Sequence, residues 1–390
     1  MIYLDNAATT QIHPEVLEAM MPYLKNEYGN AGTLYSLGRS SAQAIDKARK
    51  SVAELIGAKP NQIVFTSGGS EANSMVFNGV KNYLKEIGKT HIVASQIEHD
   101  SVLKAAKNLI KDGFYITYLK VDSNGRVDIE ELKGLINQDD VGLVSIMYVN
   151  NEIGSINPIH EIGMLCKEKG ILFHTDCVQA MGSHPINVDY MNCDFLSMSA
   201  HKIHAPKGVG ALYIRDKSNI TSMIHGGTSQ EYGLRGGTEN VAGIVGFGHA
   251  CSMFYETSGI LSMTTTYLKR MFYEKLCDGL DKHGIKQILN INGSTLDEPG
   301  KVLNLKFTDV DGETLVLALD SKGVCVSAGS ACRSHESEPS HVLLGIGLTP
   351  DEARDSIRVS FSILNTIDEV VNAAEIIANM VAIFNKSGGN

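Results

Sequence analysis

Nothing in this 390-residue chain is apolar for long enough to cross a bilayer. The longest apolar run, VGLVSIMYV at 141–149, falls far short of the ~20 residues a spanning helix needs. The first ten residues, MIYLDNAATT, lack a basic flank and already include Asp5, so no secretory signal is expected. A basic surplus is also missing. The net charge is −10, which excludes a sequence-independent grip on nucleic acid. Cysteine is sparse and odd in number, seven residues without a repeated spacing. That excludes a disulfide framework and implies reduced thiols in a cytoplasmic protein. Low-complexity linkers and internal repeats are absent as well.

What remains is ordinary for a globular protein, 43% hydrophobic and 20% charged. The length exceeds one small core and suggests a large domain with a smaller one. From about residue 44 to 215, short β-rich runs alternate with helical stretches. The runs are QIVFT (62–66), HIVAS (91–95), YITYL (115–119), VGLVSIMYV, ILFHT (171–175), DFLSMS (194–199) and GALYI (210–214). Helices are predicted over 70–86, 99–111, 128–137 and 159–169. This alternation predicts an α/β fold whose mostly parallel, seven-stranded sheet is covered by helices on both faces. Ligands in such sheets bind beyond the carboxyl ends of the strands. A long helix around 260–285 leads to a second αβ region with a strand at SIRVSF (356–361) and a last helix from about 367.

Several motifs fall just after these strands. FTSGGSEANSM (65–75) ends a strand, turns on two glycines including Gly69, and places Ser70 where a helix N-cap belongs. Free backbone N–H groups and the helix dipole there suit a phosphate, although a plain strand–helix turn has the same pattern. The stretch lacks the P-loop and dinucleotide signatures. FHTDCVQ (173–179) brings Asp176 and Gln179, and SMSAHK (197–202) brings Ser199, His201 and Lys202. Alone, an aspartate and a lysine make an ion pair. Beside a phosphate cradle they match the needs of pyridoxal phosphate: a lysine for the aldehyde and a carboxylate for the ring nitrogen. Lys207, in APKGVG, competes with Lys202. His99, in SQIEHDSV, suits ring stacking and proton transfer, and Asn151, in VNNEIG, suits a ring hydroxyl. Arg358 suits a substrate carboxylate. In VSAGSACRSHESEPS (326–340), Cys332 stands among small residues, the setting of a thiol that must be reached and must move. Cys332, His335 and His341, or His201 and His204, lack the second ligand pair of a structural zinc site, so no metal is expected.

Together, YLDNAATT, TSGGSEANS, EHDSV, VNNEIG, HTDCVQ, SAHKIHAPKG, GLRGGTEN, SAGSACRS and IRVSFSILNT resemble the cysteine desulfurases, in order along nearly the whole chain. The resemblance implies the fold type I architecture of pyridoxal phosphate enzymes, with a large domain at 13–258 and a small domain formed by 1–12 and 259–390. It makes Lys202 the Schiff-base lysine, His99 the stacking acid–base group and Asp176 the ring-nitrogen partner. Asn151 and Gln179 match ring-hydroxyl contacts, and Gly69, Ser70, Ser199 and His201 the phosphate site. Thr238 matches a phosphate ligand lent by a second subunit, implying a homodimer. Arg358, with Asn151, matches the binding site for L-cysteine, and Cys332 the sulfur-accepting thiol. The implied product is alanine, with the persulfide passed to an acceptor such as an iron–sulfur scaffold protein. Selenocysteine lyase and cysteine sulfinate desulfinase are the related alternatives, and a non-catalytic sulfur-carrying subunit is a more distant one. The chain departs from the family pattern at YGNAGTLYS (28–36) and at His204–Ala205.

Overall fold

The computed structural model describes residues 1–257, 260–328 and 339–387. The strands are, in chain order, β1 (Ile2–Tyr3), β2 (Ile63–Thr66), β3 (His91–Ser95), β4 (Tyr115–Leu119), β5 (Val141–Ser145), β6 (Leu172–Asp176) and β7 (Phe195–Ser199). They continue with β8 (Gly210–Ile214), β9 (Leu289–Asn292), β10 (Val302–Phe307), β11 (Val324–Cys325), β12 (Ser327–Ala328) and β13 (Ser356–Ser360). The large sheet has the order β2-β8-β7-β6-β5-β3-β4. Only β8 runs against its neighbours β2 and β7, so the other six strands point the same way. Their carboxyl ends therefore share one edge.

Apart from the edge strand β4, each strand of the large sheet is a short run that buries both faces, and period-two alternation sends successive residues to opposite layers. Phe65, Val93, Val144, Phe173 and Leu196 face one layer with Val52 and Phe247 of the helices Ser36–Leu55 and Val241–Glu256. Val64, Ile92, Leu143, Leu172 and Phe195 face the other with Val76 and Val102 of the helices Gly69–Glu86 and Asp100–Asn108. Truncating a fully buried aromatic such as Phe173 to alanine would cost about 3–5 kcal/mol. The run expected to be a strand to residue 149 leaves the ladder after Ser145. The chain still tracks β6, since the Tyr148 amide donates to the Asp176 carbonyl at 3.0 Å.

A second, antiparallel sheet has the order β12-β13-β10-β9. Alternate residues of β10, Leu303, Leu305 and Phe307, pack on Phe272, Leu276, Ile377 and Val381 of the helices Ile260–Lys282 and Ile367–Ser387. The N-terminal segment links the two sheets. β1 pairs with β11, Asp5 bridges to Ser360, and the Thr10 amide donates to the His201 carbonyl at 2.9 Å. Among the described residues no helix is long and apolar enough to cross a membrane.

Candidate active site

The shared edge of the large sheet closes a cavity of about 490 Å³ against the N-terminal segment and β13. Gly69, Ser70, His99, Asn151, Asp176, Gln179, Ser199, His201, Lys202 and Arg358 all line it. Thr238 is exposed and does not line it. Lys207 is exposed and likewise absent from the lining. Cys332 lies outside the described residues.

The phosphate-like turn differs in detail from its sequence reading. Gly68, not Ser70, is the N-cap, and the helix starts at Gly69. Ser70 is therefore already inside the first turn. The cap role passes to the backbone because the turn is pressed against its neighbours: a Cβ on Gly69 would stand 2.7 Å from Val178 Cγ2. Instead of a Ser70 cap, the Ser67 amide donates to Glu71 Oε2 at 2.8 Å. Arg235 holds Glu71 in turn, its Nε donating to Oε1 at 2.9 Å.

Asp176, at the end of β6, is buried and fixed through both oxygens. Asn73 Nδ2 donates to Oδ2 at 2.8 Å, and the Val178 amide donates to Oδ1 at 2.9 Å. Lys202 follows β7 in a short 3-10 turn, and its Nζ donates to the Ala7 and Ala8 carbonyls at 2.6 and 2.8 Å. Burial, aided by the nearby Lys301 and Arg358 cations and opposed by Asp5 and Asp176, lowers the Lys202 amine to about 7. Near neutral pH a substantial fraction is thus the free amine that can attack an aldehyde. Burial, then the Lys202, Lys207 and Lys301 cations, lowers His201 to about 4, so its ring is neutral.

His99 caps the helix Asp100–Asn108. Its Nδ1 accepts from the Ser101 amide at 3.1 Å, which in the neutral ring leaves the proton on Nε2. Arg358 Nη1 donates to the Asn151 carbonyl at 2.9 Å, and Nη2 donates to Asp5 Oδ1 at 2.9 Å and Ser327 Oγ at 3.2 Å. Asn151 Oδ1, Gln179 Oε1 and Arg358 Nε are buried without hydrogen-bond partners. Three unmet polar atoms on residues of one cavity fit a polar ligand that satisfies them. With the helix N-terminus and the Asp176 carboxylate, the residues fit pyridoxal phosphate.

Sequence reasoning missed four groups here. Asn73 stands one helical turn after Ser70, a spacing that would have placed it on the cavity side. Asp5 and the carbonyls of Ala7 and Ala8 lie in the quoted YLDNAATT but have no chemical signature of their own. Glu98 is fully buried, with Oε1 accepting from the Met147 amide at 2.7 Å. Burial, with Asp176 nearby, holds its carboxyl well above the usual carboxylate range despite that bond. His204, one of the departures, adopts φ 60° and joins three segments: its Nδ1 donates to the Gln11 carbonyl at 2.8 Å, and Nε2 accepts from Ser362 Oγ at 3.1 Å.

The family model for aminotransferase class-V matches residues 2–372. Cysteine desulfurase IscS of Clostridium botulinum (strain Hall) is 43% identical over 380 residues, covering 97% of this chain and 94% of that protein. Cysteine desulfurase IscS of Dictyoglomus turgidum is 44% identical over 382 residues, with the same coverage. Among solved structures, a NifS-like protein superposes with a TM-score of 0.88 at 34% identity, covering 98% of this chain and 99% of its own. A structure described as SspA in complex with cysteine has a TM-score of 0.80 at 34% identity, covering 94% and 100%.

Proposed function

As this chain belongs to the class-V aminotransferase family and is a pyridoxal phosphate-dependent cysteine desulfurase, we propose that the cavity described above is its active site and that Cys332 receives the sulfur. The observation that carries the site assignment is the placement of Lys202, Asp176 and His99 with Arg358 around one cavity. The alternative of a non-catalytic sulfur-carrying subunit leaves that arrangement without a purpose.

In this reading the backbone N–H groups at the start of helix Gly69–Glu86, with Ser70, Ser199 and His201, hold the phosphate. Asp176, fixed by Asn73, would hold the protonated ring nitrogen of the cofactor. His99 would stack on its ring, and Asn151 and Gln179 would meet its hydroxyl. When bound, pyridoxal phosphate supplies a sink for the electron pair left as the substrate Cα loses its proton. Arg358, held in place by Asp5 and the Asn151 carbonyl, binds the cysteine carboxylate. Lys202, as a free amine in the cavity, would take the proton from the Cα of the bound substrate. The Cys332 thiolate attacks the substrate sulfur; an S–S bond forms as the Cβ–S bond breaks. The electron pair stays with the carbon, which is protonated and leaves as alanine.

Thr238 is proposed to complete the phosphate site of a second copy, which accounts for its position outside the cavity of its own chain. The protein is proposed to be a cytoplasmic homodimer that hands its persulfide to an acceptor such as an iron–sulfur scaffold. The large core layers and the separate core of the small sheet support the division into 13–258 and 1–12 with 259–390. The test is direct: the purified holoenzyme, given L-cysteine and a thiol reductant, should form alanine and sulfide in equal amounts. Alanine from selenocysteine or cysteine sulfinate, with none from L-cysteine, would replace this reading with one of the two related activities.

A further inference from the structure

Lys301 is a lysine in the wrong place for its charge. It precedes β10, is 8% exposed, and makes no ion pair among the described residues. Gly300 before it, at φ 129°, brings the chain against the His184 ring, which is 3.3 Å from where a Cβ would stand. The Lys301 Nζ then reaches the backbone carbonyl of Lys202, donating at 3.1 Å. Burial, then the Arg358 cation, lowers the Lys301 amine to about 8, so it is mostly charged at pH 7 and neutral at pH 9.5. A buried ammonium without a counter-charge is costly and is not kept for stability.

The charges around Lys202 give it a use. His201, His204 and His184 are neutral near pH 7, each lowered by burial to about 4. Lys207 is exposed, and Lys269 is turned to the Thr295 and Glu298 carbonyls. Arg358 is paired with Asp5 at 2.9 Å. Asp176 spreads its charge over the Asn73 and Val178 donors. Among the described residues, Lys301 is the remaining cation acting on Lys202 that no carboxylate neutralises.

We propose that Lys301, seated on the Lys202 backbone carbonyl, is a positioning residue for Lys202, its unpaired ammonium adding to the burial of that side chain a positive charge that favours the free amine over the ammonium. The inference rests on Lys202 having the role assigned under the proposed function. It goes beyond that role by locating a charge that adds to burial in lowering the amine's basicity, outside the cavity lining and on the small-sheet side.

The test compares wild type, Lys301→Met and Lys301→Arg as holoenzymes, following alanine formation from pH 6 to 9.5. Lys301→Met should shift the acid limb of the rate to higher pH, lowering turnover at pH 7 by roughly three- to ten-fold while leaving the rate at pH 9.5 near wild type. Lys301→Arg should restore the wild-type limb. In the cofactor-free protein, reductive methylation of Lys202 read by peptide mass spectrometry should show the same alkaline shift in Lys301→Met. Its thermal midpoint should equal or exceed that of wild type, because a buried unpaired charge has been removed. An unmoved limb and methylation midpoint would overturn the proposal. So would a loss equal at every pH with a lowered thermal midpoint, which marks a structural role. A wild type that makes no alanine at any pH would instead remove the reading beneath it.

Discussion

Asn73 donates to the Asp176 carboxylate at 2.8 Å from a helix 103 residues earlier in the chain, and the same amide nitrogen donates to Ser101 Oγ at 2.8 Å. One side chain thus ties the start of helix Gly69–Glu86, the segment after His99 and the end of β6. Hydrogen bonds to a charged group contribute about 1.5–3 kcal/mol. Asn73→Ala should therefore fold yet bind pyridoxal phosphate about ten- to a hundred-fold more weakly, measured by titrating the cofactor-free protein. Unchanged affinity would make the bond incidental.

Lys202 and Lys207 are both candidates by sequence, but only Lys202 lines the cavity. Borohydride reduction of the yellow holoenzyme followed by peptide mass spectrometry should place the cofactor on Lys202. Lys202→Ala should abolish alanine formation and that adduct, while retaining some noncovalent cofactor. An adduct on Lys207 would reject the assignment.

Thr238 should act in trans. Lys202→Ala and Thr238→Val chains are each impaired for a different reason, and a mixed dimer contains one intact site if Thr238 crosses to the partner. Activity should recover when the two are unfolded and refolded together. No recovery, or full activity in a species of monomer mass by light scattering, would place Thr238 elsewhere.

Cys332→Ser should leave cofactor content and fold unchanged, because a hydroxyl cannot accept sulfur but removes no catalytic base. Alanine and sulfide from L-cysteine should fall together, by a hundred-fold or more. Wild-type rates in this variant, or a persulfide mapped to Cys177 or Cys325, would break the sulfur-transfer step.

Glu98 gives a stability prediction with a definite sign. Burial holds its carboxyl well above the usual carboxylate range in the folded state, whereas in the unfolded chain it ionises within that range. The stability contribution is therefore fully present below about 4.5 and is lost as pH rises toward the raised folded value. Glu98→Gln mimics the protonated form. It should be near neutral at pH 4.5 and gain on wild type by about 1.4 kcal/mol per pH unit above that until the raised folded value is reached, where the gain levels off, read by urea unfolding across the range. A pH-independent difference would mean that Glu98 is ionised in the native protein.

The sequence was most legible where physics is local. All seven strands of the large sheet are predicted, six of them because each is a short buried run bounded by turns. The edge strand YITYL kept its exposed Tyr115 and Tyr118 and was still found by its β-forming residues. Ser70 was misplaced because N-cap preference is a local rule, whereas the turn is set by the approach of Val178 over a hundred residues away. Asn73, Asp5 and Lys301 escaped for the same reason. Their importance lies in what they face, and amide, carboxylate and ammonium groups carry no mark of their distant partners.

The seam made by residues 5–10 bears on how the molecule comes into being. Asp5 is among the first residues synthesised, and its partner Arg358 lies 353 positions later. The Ala7 amide likewise donates to Ser360 Oγ at 2.8 Å, across 353 positions. During translation the large sheet can form long before β13 emerges, while the carbonyls that receive Lys202 wait for the strand that anchors their segment. Contacts of such sequence separation form slowly. The arginine proposed to bind substrate and the segment that steadies it should thus be the last parts of the cavity to mature, leaving a nascent chain with the proposed phosphate cradle formed and no means yet of processing cysteine.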